Sequence, residues 1–122
     1  PLGAKYGYSK EASYAAPGKI AEVITLIDNQ LEAQEKFGSP YLLGDSISAA
    51  DVYWATMSMT VLPVPSEIMP RTQQNQGMLM YFESNSKIPL IKHALSKRVQ
   101  NHQQYILKTY CEIPAVLGGD PL

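Results

Sequence analysis

The residues of this 122-residue chain best suited to hold a metal or act as base or nucleophile are two histidines and one cysteine. His93 and His102 are nine positions apart. On one continuous helix that spacing sets them half a turn out of phase, on opposite faces, so they do not share a metal. His102 falls on an apolar stripe and reads as a hydrogen-bonded histidine of a core or interface, whereas His93 reads as solvated. Cys111 lies near the C-terminal end of a helical pattern, where the negative dipole end disfavours a thiolate, so it reads as a small apolar side chain. Asp45 and Asp51 make a carboxylate pair only if Asp51 is free of the capping task described below. No glycine-rich phosphate loop follows a strand pattern, and no Ser–His–Asp set is suggested by spacing. The chain is therefore read as having no catalytic, cofactor-binding or metal-ligating residue of its own.

Two other sets point to structure or binding. Ser48 and Asp51 have the S-x-x-D spacing of a helix start. The Ser48 hydroxyl can accept from the Asp51 N–H while the Asp51 carboxylate reaches back to the Ser48 N–H. Ile47 and Val52 flank them at the spacing of a hydrophobic staple. Tyr6, Tyr8 and Tyr14, together with Trp54, offer large apolar faces with a polar edge. They line a pocket for a small hydrophobic ligand or an interface, or the tyrosines simply fasten the N-terminal arm.

The elements that must position these residues are helical. Residues 1–16 read as an arm, with Pro1-Leu-Gly3 as a cloning remnant or as protein. A helical domain follows over 17–122. Pro17 suits the first turn of a helix, and Ile20, Val23, Ile24, Ile27 and Leu31 form its apolar stripe. Gly38 and Pro40 end it, and Gly44-Asp45 makes a turn. A second helix runs from Ser48 to about Leu62, apolar nearly all round and hence expected to be central and buried. Pro63 and Pro65 stop it. A short helix ends near Asn85, and a last long helix runs from Lys87-Ile-Pro89 to about Cys111. The expected fold is an all-α bundle of four to five helices.

Composition narrows the function classes. The apolar share of 45% and charged share of 17% are those of a globular protein. The net charge of −1 and the lack of interleaved base readers argue against nucleic-acid binding. No apolar run has the length of a membrane span. A single cysteine rules out an internal disulfide and suits a reducing, cytoplasmic setting. Charge is uneven, with acids on the first two helices and Lys87, Lys92, Lys97, Arg98 and Lys108 on the last. Complementary packing between helices or subunits accounts for that.

The run Tyr41-Leu-Leu-Gly-Asp-Ser-Ile-Ser-Ala-Ala-Asp-Val-Tyr53 resembles the segment that joins two helices in the C-terminal domain of glutathione S-transferases. That pattern is Y-L-hydrophobic-G-D-x-hydrophobic-S/T-x-A-D, and the resemblance covers about Ile20 to Leu62. His102-Gln-Gln-Tyr-Ile106 followed by Pro114 is similar to the final helix and tail of some bacterial members, with Gln103-Gln104 where Arg-Asp often stands. The resemblance implies a helical domain that walls the site for a hydrophobic cosubstrate and helps a homo-oligomer form. The thioredoxin-like half that binds glutathione has no counterpart here. Val64-Pro65 and Glu83-Ser84 look like its binding residues but lack its strand pattern. Glutathione is thus expected only where a thioredoxin-like domain is present, and transferase activity is not expected of this chain alone. The alternative implied by the same fold is a non-catalytic protein–protein interaction module.

Overall fold

The structure, a computed structural model, describes residues 10–111, with side chains described from residue 15 onward. Among these residues five α-helices follow in order: α1 (Lys10–Lys36), α2 (Ala49–Met57), α3 (Gln76–Ser86), α4 (Pro89–Ala94) and α5 (Lys97–Tyr110). A single 3-10 turn, Ser58–Thr60, extends α2. The fold is an all-α bundle, with no strand among the described residues. No helix among them is long and apolar enough to cross a membrane.

The 27-residue α1 would span about 40 Å. It begins at Lys10, not at Pro17, so Pro17 lies inside the helix and the arm expected over 1–16 is in part helix. Proline removes one backbone donor from a helix interior, but its fixed φ is helical, and Lys10-Glu-Ala12 and Ala15-Ala16 before it are strong helix formers. Gly38 ends the loop's first turn at φ 80° and Gly44 takes φ 60°, a region in which a side chain would be strained.

The second helix is shorter and more one-sided than its composition predicts. Its regular part ends at Met57. Tyr53 and Met57 are 69% and 66% exposed, so α2 is not buried all round. Only Asp51, Ala55, Ser58 and Met59 are fully buried along it and its 3-10 extension. This one face packs on α5.

The long helix expected from Lys87 to Cys111 is broken in two. Leu95 and Ser96 adopt extended backbone with ψ 94° and 164°. Ser96 then caps α5, its hydroxyl accepting from the Val99 N–H at 3.1 Å and donating to Asp28 Oδ1 at 2.7 Å. The break lets Arg98 turn to α1, where it meets Asp28 at 3.0 Å and Glu35 at 3.1 Å. The charge asymmetry of the sequence is thus matched across α1 and α5, although partly exposed pairs of this kind contribute at most about 1 kcal/mol each. Ser96→Ala is expected to lower stability by about 0.5–2 kcal/mol. Urea unfolding checks this, an unchanged midpoint meaning that the break needs no cap.

Two apolar clusters form the core. Ile24 and Leu31 of α1 meet Leu42, Val61, Leu62, Ile91 and Val99 in one. Ala55, Met59, Ile68, Met69 and Leu79 meet Ile106 and Leu107 in the other. Only α5 contributes fully buried residues to both from a single helix, through Val99, Ile106 and Leu107. It is the element against which the rest is set.

Candidate ligand groove and its supporting network

The run from Tyr41 to Trp54 is built around the carboxylate of Asp51, which is fully buried. Oδ2 accepts the Ser48 N–H at 3.0 Å and the Ser48 hydroxyl at 3.3 Å. Oδ1 accepts the Leu42 N–H at 2.8 Å and contacts His102 Nε2 of α5 at 2.9 Å. The Asp51 N–H bonds to the Ser48 carbonyl at 3.1 Å, and Ser48 is in extended backbone. Burial alone would push the Asp51 carboxyl up. Donation from His102, with the N–H groups of Leu42 and Ser48, outweighs it and holds the carboxyl below its ordinary value. An ionised Asp51 only accepts hydrogen bonds, so His102 carries its proton on Nε2, and its buried Nδ1 has no partner among the described residues.

The same segment is held to α1 by side chains one turn apart. Gln30 Nε2 donates to the Leu42 carbonyl at 2.7 Å, and Gln34 Nε2 to the Gly44 carbonyl at 2.6 Å. The Ser39 hydroxyl also donates to Gly44 O at 2.7 Å. Ile47 and Val52, the staple pair, both pack against the second core cluster. A helix start is therefore locked in two directions, to α1 through amides and to α5 through His102. Gln30 and Gln34 were not singled out by sequence, where a Gln on the polar side of a helix resembles any solvated residue. Their i, i+4 spacing was the only available sign.

That lock sets the position of Trp54, one helical turn beyond Asp51. Its ring packs against the first core cluster, and its Nε1–H is buried without a hydrogen-bond partner among the described residues. Trp54 lines an apolar groove of about 370 Å³ between α1 and the end of α2. Ile20, Val23 and Ile24 form one wall, Met57 and Val61 the other, and among the described residues Lys19 supplies its one charged side chain. Val23 is 50% exposed. It belongs to the predicted apolar stripe but faces the groove and not the core. Of the proposed pocket residues, Trp54 is thus placed in a cavity wall. Tyr6 and Tyr8 lie outside the described residues, as does the side chain of Tyr14.

Two other depressions differ in chemistry. A polar cleft of about 210 Å³ beside His102 is lined by Glu35, Arg98, Asn101 and Tyr105. A wider groove of about 680 Å³ between α1 and α4 is bordered by Leu26, Asp28, Leu90 and His93. His93 is exposed and His102 buried, on different helices, so the one-helix phase argument does not describe them. Cys111 is half-buried against the second core cluster. Glu83 of α3 pairs with Arg71. Comparison with protein-family models, with curated proteins and with solved structures finds no match to this chain.

Proposed function

We propose that this chain is the helical domain of a glutathione S-transferase-like protein, contributing an apolar wall for a hydrophobic cosubstrate and surface for subunit packing. On this reading it conjugates nothing by itself. The observation that carries the proposal is the Trp54 groove: it is concave and almost wholly apolar, with a few polar groups at its edge, the usual makeup of a small-molecule site. It also stands directly after the segment that resembles the family. A second reading, a protein–protein interaction module, is favoured by Leu26 and Leu90. Both are exposed and flank the wider groove, and exposed apolar patches of that kind mark interaction surfaces.

Trp54 is the only tryptophan of the chain, so its fluorescence reports on the groove alone. A naphthalene sulfonate dye is expected to quench it saturably, and Val23→Asp to weaken the binding about tenfold or more, since the carboxylate repels the dye's sulfonate and must lose water when the dye covers the wall. Calorimetry with glutathione on the same sample is expected to give no heat. Absent quenching would sink the cosubstrate-wall reading and leave the interaction module. Glutathione heat would mean that the chain binds the thiol ligand itself.

A further inference from the structure

Three phenols meet at one surface point. Tyr41, in the loop between α1 and α2, has its hydroxyl in hydrogen-bond contact with those of both Tyr105 and Tyr110 of α5, the first at 3.2 Å. The ring centroids of the three pairs lie 6.1–6.3 Å apart. Tyr105 and Tyr110 are 39% and 44% exposed. No charged side chain hydrogen-bonds to any of the three hydroxyls among the described residues, so each is bonded to another phenol. The mutual hydrogen bonds hold the Tyr41 phenol well above its ordinary value, those from Tyr105 and Tyr110 being the main causes. Tyr41 therefore stays protonated and gains nothing as a phenolate ligand. What it does have is proximity: each ortho carbon is two bonds from its hydroxyl, so hydroxyls in contact bring ortho carbons of different rings within reach of a small side-chain rotation.

We propose that this cluster is an oxidative cross-linking site, in which Tyr41 couples to a tyrosine of α5 to form dityrosine. The co-reactant is a peroxide acting through a one-electron oxidant such as a haem peroxidase. Each phenol loses one electron and its hydroxyl proton, giving two tyrosyl radicals whose spin density extends to the ortho carbons. The radicals pair in a new carbon–carbon bond. The two ortho hydrogens then leave as protons while both phenols regain theirs from solvent. Hydrogen peroxide takes up the two electrons and two protons and becomes two waters, so the protein loses two hydrogens. The bond ties residue 41 to residue 105 or 110 and closes a long loop, joining the Asp51-centred segment to the end of α5. A cross-link that long restricts the unfolded chain and raises stability, as a disulfide of the same span does.

Tyr53 and Tyr81 serve as built-in controls, since both are exposed and neither has a tyrosine ring beside it among the described residues. The test treats dilute full chain, its Cys111 thiol first blocked by alkylation, with hydrogen peroxide and a haem peroxidase. Dityrosine fluorescence, the intact mass and a peptide map are then read. The expected product is a monomer two hydrogens lighter, with the peptide containing Tyr41 joined to one containing Tyr105 or Tyr110, and a higher urea midpoint than the untreated chain. Tyr41→Phe, which keeps the ring and its packing, is expected to abolish that product, while Tyr53→Phe and Tyr81→Phe leave its yield unchanged. The same treatment in denaturing urea is expected to lose the specific pair. Only intermolecular dimers, a map joining other tyrosines, or an undiminished yield from a folded Tyr41→Phe chain would each overturn the proposal.

Discussion

Asp51→Ala is expected to destabilise the chain by about 3–5 kcal/mol, because several hydrogen-bond donors lose the one acceptor they share. A helix cap alone would account for only about 0.5–2 kcal/mol, and the difference separates the two roles. The carboxylate accepts from Leu42, Ser48 and His102 at once, and its removal orphans the buried donors of Leu42 and His102 and the half-buried N–H of Ser48. Each such orphan costs about 1–3 kcal/mol. Against the roughly 5–15 kcal/mol that holds a domain of this size together, the loss is large enough to unfold a marginal chain. Urea unfolding measures it, and a loss confined to the cap range would show that the His102 contact contributes nothing. The pH dependence supplies an independent reading. Because the folded carboxyl is held below its ordinary value, its stabilisation is fully present above the unfolded value of about 3.9. It is lost as pH falls from there through the folded value. Asp51→Asn is expected to be less stable at neutral pH and to flatten the decline in that acid window. An identical acid limb in both proteins would place the acid sensitivity at other carboxylates.

Gln103→Ala carries the second large expectation, a loss of about 2–4 kcal/mol from a lost hydrogen-bond partner plus an unfilled space. Gln103 is fully buried in α5. Its Nε2 donates to the Leu62 carbonyl at 2.9 Å and to the Ser58 hydroxyl at 3.0 Å. Leu62 is where the chain leaves the α2 extension before Pro63, so its carbonyl has no helical donor to turn to. The amide of α5 supplies the missing one. Gln103→Leu restores most of the volume without the donor and is expected to recover part of the loss. Equal midpoints for the Ala and Leu variants would mean that the hydrogen bonds and not the space dominate. A Gln103→Ala chain as stable as the parent would mean that the carbonyl finds solvent without cost.

How far the site could be read from sequence differs residue by residue. Trp54 sits on a helix whose sequence is apolar nearly all round and in the structure lines a groove, but nothing local told which wall would face it. Val23 shows why. It belongs to the same stripe as Ile24 and lines the same groove, yet one residue of helical phase buries Ile24 in the core and leaves Val23 half-exposed. Tyr41 carried no sign of Tyr105 or Tyr110, because it meets them across more than sixty residues of chain.

What the sequence by itself determined is what short-range physics dictates. The 3.6-residue stripe made α1, the prolines and glycines placed the turns, and Ser48 and Asp51 specified the start of α2. The all-α class followed from those signals, since each depends on residues within a turn or two of one another. Tertiary structure decided the rest. It broke the last helix at Ser96, where the serine hydroxyl gains Asp28 of α1 as a partner. It also exposed one side of an almost uniformly apolar α2. Above all it turned Asp51 from a local cap into a buried junction by bringing His102 to within 2.9 Å. The physical reason is common to all three: apolar area and hydrogen-bond partners supplied by a distant element outweigh local preferences worth about 1 kcal/mol or a few. A helix read in isolation cannot reveal which of its faces will receive that partner.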